Sequence, residues 1–167
     1  MDTTAFQELT VLVVEDSDYY RRLIITNLEA MSVGTTEESV NGEDAFEAQQ
    51  VRSIDLALVD LEMEPVNGLE LTRKIRRDEK SADRELPIIM ITAHTDEECV
   101  FAARDAGVTE ILTKPITAES LYKRIYSVVM HPRPFVEHET FVGPDRRRGD
   151  CTEYHGPDRR LNGSSTE

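Results

Sequence analysis

Five residues in this chain of 167 carry groups able to do chemistry together, and each stands at the end of a short apolar run. Glu15 and Asp16 follow Val11-Leu12-Val13-Val14, and Asp60 follows Leu56-Ala57-Leu58-Val59. Thr92 follows Ile88-Ile89-Met90-Ile91, and Lys114, with Pro115 behind it, follows Glu110-Ile111-Leu112. Three carboxylates make an all-oxygen donor set, which suits a hard divalent cation such as Mg2+, with Mn2+ as the alternative. A lysine beside them supplies a point charge for an anion, and a threonine hydroxyl supplies a hydrogen bond. One acidic residue after a strand is an ordinary way to end it. Matching polar residues at several strand ends are a site.

The segments between these runs must place them. A continuous β-branched run such as Val11–Val14 reads as a strand buried on both faces. Asp18 is the expected cap of a helix carrying Tyr19, Leu23, Ile24 and Leu28 as its apolar stripe. A weak, polar strand is read at Thr35–Ser39. Asn41-Gly42 then opens a helix with Ala45, Phe46, Ala48 and Gln49 inward. Gly68 fits a turn after the third strand, and Leu69, Leu71 and Ile75 mark the helix beyond it. Asp96 starts a helix with Val100, Phe101 and Ala103, closed by Gly107. Thr117 caps a last helix with Leu121, Ile125, Val128 and Val129. Strands alternating with helices imply parallel pairing through right-handed crossovers. The expected product is an α/β fold, a doubly wound five-stranded parallel sheet with five helices. Such sheets do their work at the carboxyl ends of the strands, where the five residues lie.

Composition sets outer limits. Hydrophobic residues make up 39%, enough for one core, and the formal net charge is −14. That acidity argues against nucleic acid as a partner of the main body. No apolar run approaches a membrane span and no signal peptide opens the chain, so no membrane insertion is expected. Cys99 and Cys151 lie far apart and suggest no disulfide framework, which suits the cytoplasm. Residues 1–130 carry 13 Lys and Arg against 26 Asp and Glu, whereas residues 131–167 carry 6 against 7. The break falls at His131-Pro132-Arg133-Pro134, where two prolines stop the last helix. One domain over 1–130 and a tail over 131–167 are expected.

The stretches "VVEDS", "LVDLEMEPVNG", "IIMITA" and "ILTKP" together resemble the receiver domain of two-component response regulators, over residues 8 to 130. The resemblance implies the flavodoxin-like receiver fold and a stand-alone phosphoacceptor protein, not an enzyme in the ordinary sense. It implies Asp60 as the phosphoacceptor, with Thr92 and Lys114 binding the phosphoryl oxygens. It implies Glu15, Asp16, Asp60 and the backbone carbonyl of Glu62 as the Mg2+ ligands. Donor and acceptor are both anionic, so a divalent cation is needed to bring them together. A sensor histidine kinase or a histidine phosphotransfer protein would be the donor, and an unidentified downstream protein the receiver of the signal. A cis peptide before Pro115 is implied, aiming Lys114 inward. The family carries Phe or Tyr three residues before the lysine, where this chain has Ile111. Thr92, Ile111, Pro115 and Tyr122 are therefore the candidate switch and output residues, and a non-switching interaction scaffold is the alternative. Glu62 and His94, two residues past Asp60 and Thr92, border the site where water would attack. Glu62 also sits where aspartate-phosphorylating phosphatases carry a second carboxylate, although the rest of the rim matches receivers.

The tail holds a repeat. Phe141-Val142-Gly143-Pro144-Asp145-Arg146-Arg147 returns as Tyr154-His155-Gly156-Pro157-Asp158-Arg159-Arg160. Each copy sets an arginine pair beside an aromatic and a Gly-Pro turn. Phe141, Arg146, Arg147, Tyr154, Arg159 and Arg160 are the candidate docking residues, gripping either this protein's own acidic surface, a second copy or another partner. The other reading is a solvating tail, and Cys151 with His131, His138 and His155 has poor spacing for a metal site. Rich in Pro, Gly and Arg, the tail is expected to be mostly irregular.

Overall fold

The computed structural model describes residues 4–146. After a 3-10 turn at Thr4–Phe6, strands and helices alternate as β1 (Thr10–Val14), α1 (Asp18–Ala30), β2 (Thr35–Ser39), α2 (Gly42–Val51), β3 (Leu56–Asp60), α3 (Gly68–Arg77), β4 (Ile88–Thr92), α4 (Glu97–Ala106), β5 (Glu110–Thr113) and α5 (Ala118–Met130). The five strands pair in parallel in the order β2-β1-β3-β4-β5. Strand side chains alternate across the sheet, so each strand feeds two cores. Val11, Val13, Leu58 and Ile91 pack with Ile24 and Leu28 of α1 and Leu121, Ile125 and Val128 of α5. Leu12, Val14, Ala57, Val59 and Met90 pack with Phe46 of α2, Leu71 and Ile75 of α3 and Ala103 of α4. Strand order reverses between β1 and β3, and a crevice opens there at their carboxyl ends. Among the described residues no helix is long and apolar enough to cross a membrane.

Several local expectations are corrected. Ser17, not Asp18, is the cap of α1: its backbone is extended and its hydroxyl accepts from the Tyr20 amide. Asp18 is the first helical residue, and its carboxylate pairs with Arg21. Tyr19 is exposed, while Tyr20 and Ile25 join the core from α1. Gly68 opens α3 instead of turning a loop. A Cβ there would come within 2.4 Å of the Asp60 carbonyl and 2.8 Å of the Met90 sulfur, so close packing is what requires glycine. Val100 and Phe101 of α4 face outward, and the Arg104 guanidinium lies over the Phe101 ring. Gly107 closes α4 in the left-handed conformation, φ 95°, which costs glycine no Cβ clash.

The chain past the double proline is not irregular throughout. β6 (Phe135–His138) and β7 (Phe141–Pro144) form an antiparallel hairpin across Glu139-Thr140, with Phe135 opposite Pro144 and His138 opposite Phe141. Two Phe-Val pairs six residues apart supply its β-prone, apolar content. It docks on α3 and α4 near Gly107, burying Phe141, Val142, Gly143 and Pro144. Beneath it Arg76 is fully enclosed: Nε donates to the Gly107 carbonyl at 3.0 Å and Nη1 to the Arg84 carbonyl at 2.7 Å, with the Phe135 ring 5.5 Å away. Burial pulls this guanidinium down to about 10.

Candidate functional site

The carboxyl end of β1 delivers Glu15 and Asp16, and β3 ends on Asp60. One carboxylate oxygen from each lies within 4.8 Å of the others. Glu15 and Asp60 are buried, while Asp16 is open to solvent. β4 ends on buried Thr92, and Lys114 follows β5 and joins Pro115 through a cis bond. The ammonium of Lys114 reaches Oδ1 of Asp60 at 2.8 Å and Oε2 of Glu15 at 3.2 Å. The remaining Asp60 oxygen accepts from the Glu62 amide at 3.1 Å. One ammonium therefore faces three carboxylates in a partly buried site.

The electrostatics follow from that imbalance. Burial raises the Asp60 carboxyl above its ordinary value, against the hydrogen bond and charge of Lys114. Burial and then the charge of Asp60 raise Glu15, despite bonds from Ser17 and Lys114. For Lys114, burial disfavours the charge, but its bond to Asp60 and the charges of Asp60 and Glu15 outweigh it and raise its pKa. The uncompensated negative charge is what a divalent cation would neutralise, and the donors are all hard oxygens, so the residues present fit Mg2+.

Other groups set these side chains in place. Glu15 is held at both ends, its amide donating to the Ser39 carbonyl at 3.1 Å and its carboxylate accepting from the Ser17 amide at 3.1 Å. Arg21, bridging Asp18 and Glu38, also donates to the Glu15 carbonyl at 3.0 Å. The Tyr20 ring lies 4.2 Å beneath the Lys114 ammonium. Neither Tyr20 nor Arg21 stands out in the sequence, because α1 brings them over the site only after it packs. The Thr92 hydroxyl accepts from the His94 amide at 2.9 Å and lies 3.3 Å from the His94 carbonyl. His94 Nε2 and Glu62 Oε1 are 2.8 Å apart, bridging the two loops that border the site.

The candidate switch residues do not gather in one place. Ile111 packs with the α2–α3–α4 core, whereas Tyr122 belongs to the α1–α5 core, where it stacks on Tyr126 and tilts against Phe6. They lie on opposite faces of the sheet. In the tail, Phe141 is buried under the Arg146 guanidinium, 3.7 Å from the ring centre, and Arg146 reaches Asp105 at 3.2 Å. Arg147, Tyr154, Arg159 and Arg160 lie outside the described residues, as do Cys151 and His155.

Known proteins resemble this chain in sequence and fold. The family model for the response regulator receiver domain matches residues 11–126. The chemotaxis protein CheY1 of Helicobacter pylori is 34% identical over 122 residues, which are 72% of this chain and 97% of that protein. The chemotaxis protein CheY-3 of Vibrio cholerae is 29% identical over 125 residues, 75% of this chain and 95% of that one. Among solved structures, Vibrio cholerae CheY4 superposes with a TM-score of 0.66 at 27% identity, covering 72% of this chain and 98% of its own. The N-terminal domain of a response regulator receiver protein from Methanoculleus marisnigri gives 0.58 at 30% identity, covering 76% and 99%. The five-stranded parallel sheet, the acidic cluster at the β1–β3 crevice and these matches together make the chain a member of the response regulator receiver family, a signalling protein of two-component systems.

Proposed function

We propose that this protein is a cytoplasmic response regulator phosphorylated on Asp60, and that it signals by protein contact. The observation that carries the reading is the Asp60 carboxylate, buried at the end of β3 with one oxygen on the Lys114 ammonium and the other on the Glu62 amide. A phosphohistidine of a kinase or phosphotransfer protein is the donor. An Asp60 oxygen attacks phosphorus, the N–P bond breaks, and the histidine nitrogen leaves with the electron pair and takes up a proton. Lys114 stays beside Asp60 and balances charge on a phosphoryl oxygen. Glu15, Asp16, Asp60 and the Glu62 carbonyl would hold Mg2+, which when bound offsets the repulsion between the two anions. Thr92 reaches the phosphoryl group only by giving up its bonds to the His94 backbone. Loading Asp60 therefore frees the His94 backbone, and with it the start of α4. This shifts a pre-existing equilibrium.

The test is incubation with a small phosphodonor such as acetyl phosphate, followed by mass spectrometry. Labelling is expected in Mg2+, lost on chelation and lost in Asp60→Asn. A wild type that takes no phosphoryl group rejects the reading. Ile111 supports one alternative, a receiver that loads but does not transmit: an aliphatic side chain sweeps less area than the aromatic expected there. Equal partner affinity before and after labelling would favour it.

A further inference from the structure

The first copy of the tail repeat fills a seat made by α3, α4 and Gly107. Phe141 is 8% exposed there and Val142 9%. A Cβ on Gly143 would come within 2.7 Å of the Gly107 Cα and 2.9 Å of the Phe141 ring, so only glycine fits that position. Pro144 is buried and stands opposite Phe135 in the hairpin. The Asp145 amide donates to the Pro134 carbonyl at 2.7 Å. Arg146 covers the Phe141 ring and pairs with Asp105 of α4 at 3.2 Å. The second copy brings back the Gly, the Pro, the Asp and both arginines unchanged. Tyr154 replaces Phe141 and keeps the ring. His155 replaces Val142, which approaches Gly107 with its backbone carbonyl, a group that any residue has.

One seat therefore stands beside two segments that carry the groups it uses. We infer that the second copy, Tyr154-His155-Gly156-Pro157-Asp158-Arg159-Arg160, is an alternative occupant of this seat, pairing with β6 of its own molecule when the first copy leaves. The inference does not depend on phosphorylation of Asp60. Chain length selects this occupant over a neighbouring molecule. Only residues 147–153 lie between Arg146 and the second copy, and so short a tether holds it near the seat at an effective concentration of about 1 mM. Charge agrees, because Arg159 would take the place of Arg146 beside Asp105. Loop closure sets the order of preference. The first copy turns back on β6 through Glu139-Thr140, whereas the second would close a loop over residues 139–153. Closure alone favours the first copy roughly twentyfold. The Tyr154 ring also carries a hydroxyl that needs a partner once buried. The first copy thus fills the resting seat. The second keeps β6, and the Phe135 ring over Arg76, in place when the first is drawn away.

Gly143→Val tests this, because the new side chain meets backbone and closes the seat to the first copy alone. The probe is the Gly107 amide in nitrogen–proton NMR spectra. Wild type gives its filled-seat position. Protein shortened after Met130, which keeps every residue that the family model matches, gives the empty-seat position. Gly143→Val in the full chain is expected to stay near the filled position. The same change in protein ending at Glu153, or combined with Gly156→Val, should move the resonance to the empty position. Gly156→Val alone should leave it where wild type has it. A full-chain Gly143→Val already at the empty position overturns the inference. So does a Gly143→Val resonance that stays filled in protein ending at Glu153, since the second copy would then have no part in it. A filled position that fades on dilution gives the second copy to a neighbouring molecule and overturns the pairing within one chain. Asp60 labelling of the same samples reads the phosphoacceptor proposal separately.

Discussion

Asp60 sits at the centre of the site under tension between burial and Lys114. Its carboxyl is raised, as is that of Glu15. A raised folded-state pKa means a stability contribution that is present below the unfolded value and lost as pH rises through the folded one. At neutral pH the ionised Asp60 therefore costs stability in the absence of a cation. Asp60→Asn is expected to melt at a higher temperature than wild type at pH 7 without Mg2+. The advantage should shrink as pH falls toward about 4, the ordinary aspartate value. Mg2+ should raise the melting temperature of the wild type more than that of the variant. A scan of melting temperature against pH and Mg2+ checks all three. The Glu62–His94 bridge makes a separate case. Both side chains are more than half exposed, so the contact is worth at most about 1 kcal/mol to stability. Under the proposed function its effect falls on the aspartyl phosphate. If the two act as one bridge over the acyl phosphate, Glu62→Ala and His94→Ala change its lifetime in the same direction, and the double variant adds little more. Independent, additive changes in the decay of labelled protein would show two unrelated residues.

At the scale of the elements, the hairpin is what this protein adds to the receiver fold. Its fit is decided where Gly143 lies against Gly107. A Cβ on Gly107 would meet the Val142 carbonyl at 2.5 Å, and one on Gly143 would meet the Gly107 Cα at 2.7 Å. Gly107→Ala thus adds the loss of hairpin docking to its local costs in the full chain. In protein shortened after Met130 the hairpin cost is absent, leaving the left-handed backbone at about 1–2 kcal/mol and the close approach of the Cβ to Arg76 Cγ at 3.1 Å. The shortened protein should fold, because the family match ends at residue 126 and the curated relatives are nearly complete without a hairpin. Urea unfolding of both backgrounds measures the difference, and equal losses would mean the hairpin contributes nothing. These same elements show where the sequence is readable. Val11–Val14 and Leu56–Val59 announce buried strands, and the polar residues at their ends announce the crevice, because pattern and position there agree. The hairpin has strands of only four residues, held by tertiary contact with α3 and α4, so local pattern has little to report. Arg76 reads as a solvated helix residue by type, and only tertiary contacts, to Gly107, Arg84 and Phe135, make it a buried one. Ser17 and Asp18 are both good caps by type, and backbone geometry chooses between them.

Across the whole molecule charge is distributed unequally, and one variable should expose it. The chain holds 33 acidic and 19 Lys and Arg residues, so its folded state repels itself. Residues 1–130 carry 13 Lys and Arg against 26 Asp and Glu, so the excess lies in the receiver body. Screening by monovalent salt weakens that repulsion. Raising salt from about 0.05 M to about 0.5 M shortens the Debye length from roughly 14 Å to roughly 4 Å. The melting temperature of the metal-free protein should therefore rise over that range. Protein shortened after Met130 keeps nearly the whole excess and should respond as strongly. A melting temperature that stays flat or falls with salt would mean that paired charges, such as Arg21 with Asp18 and Glu38, contribute more than the net repulsion costs.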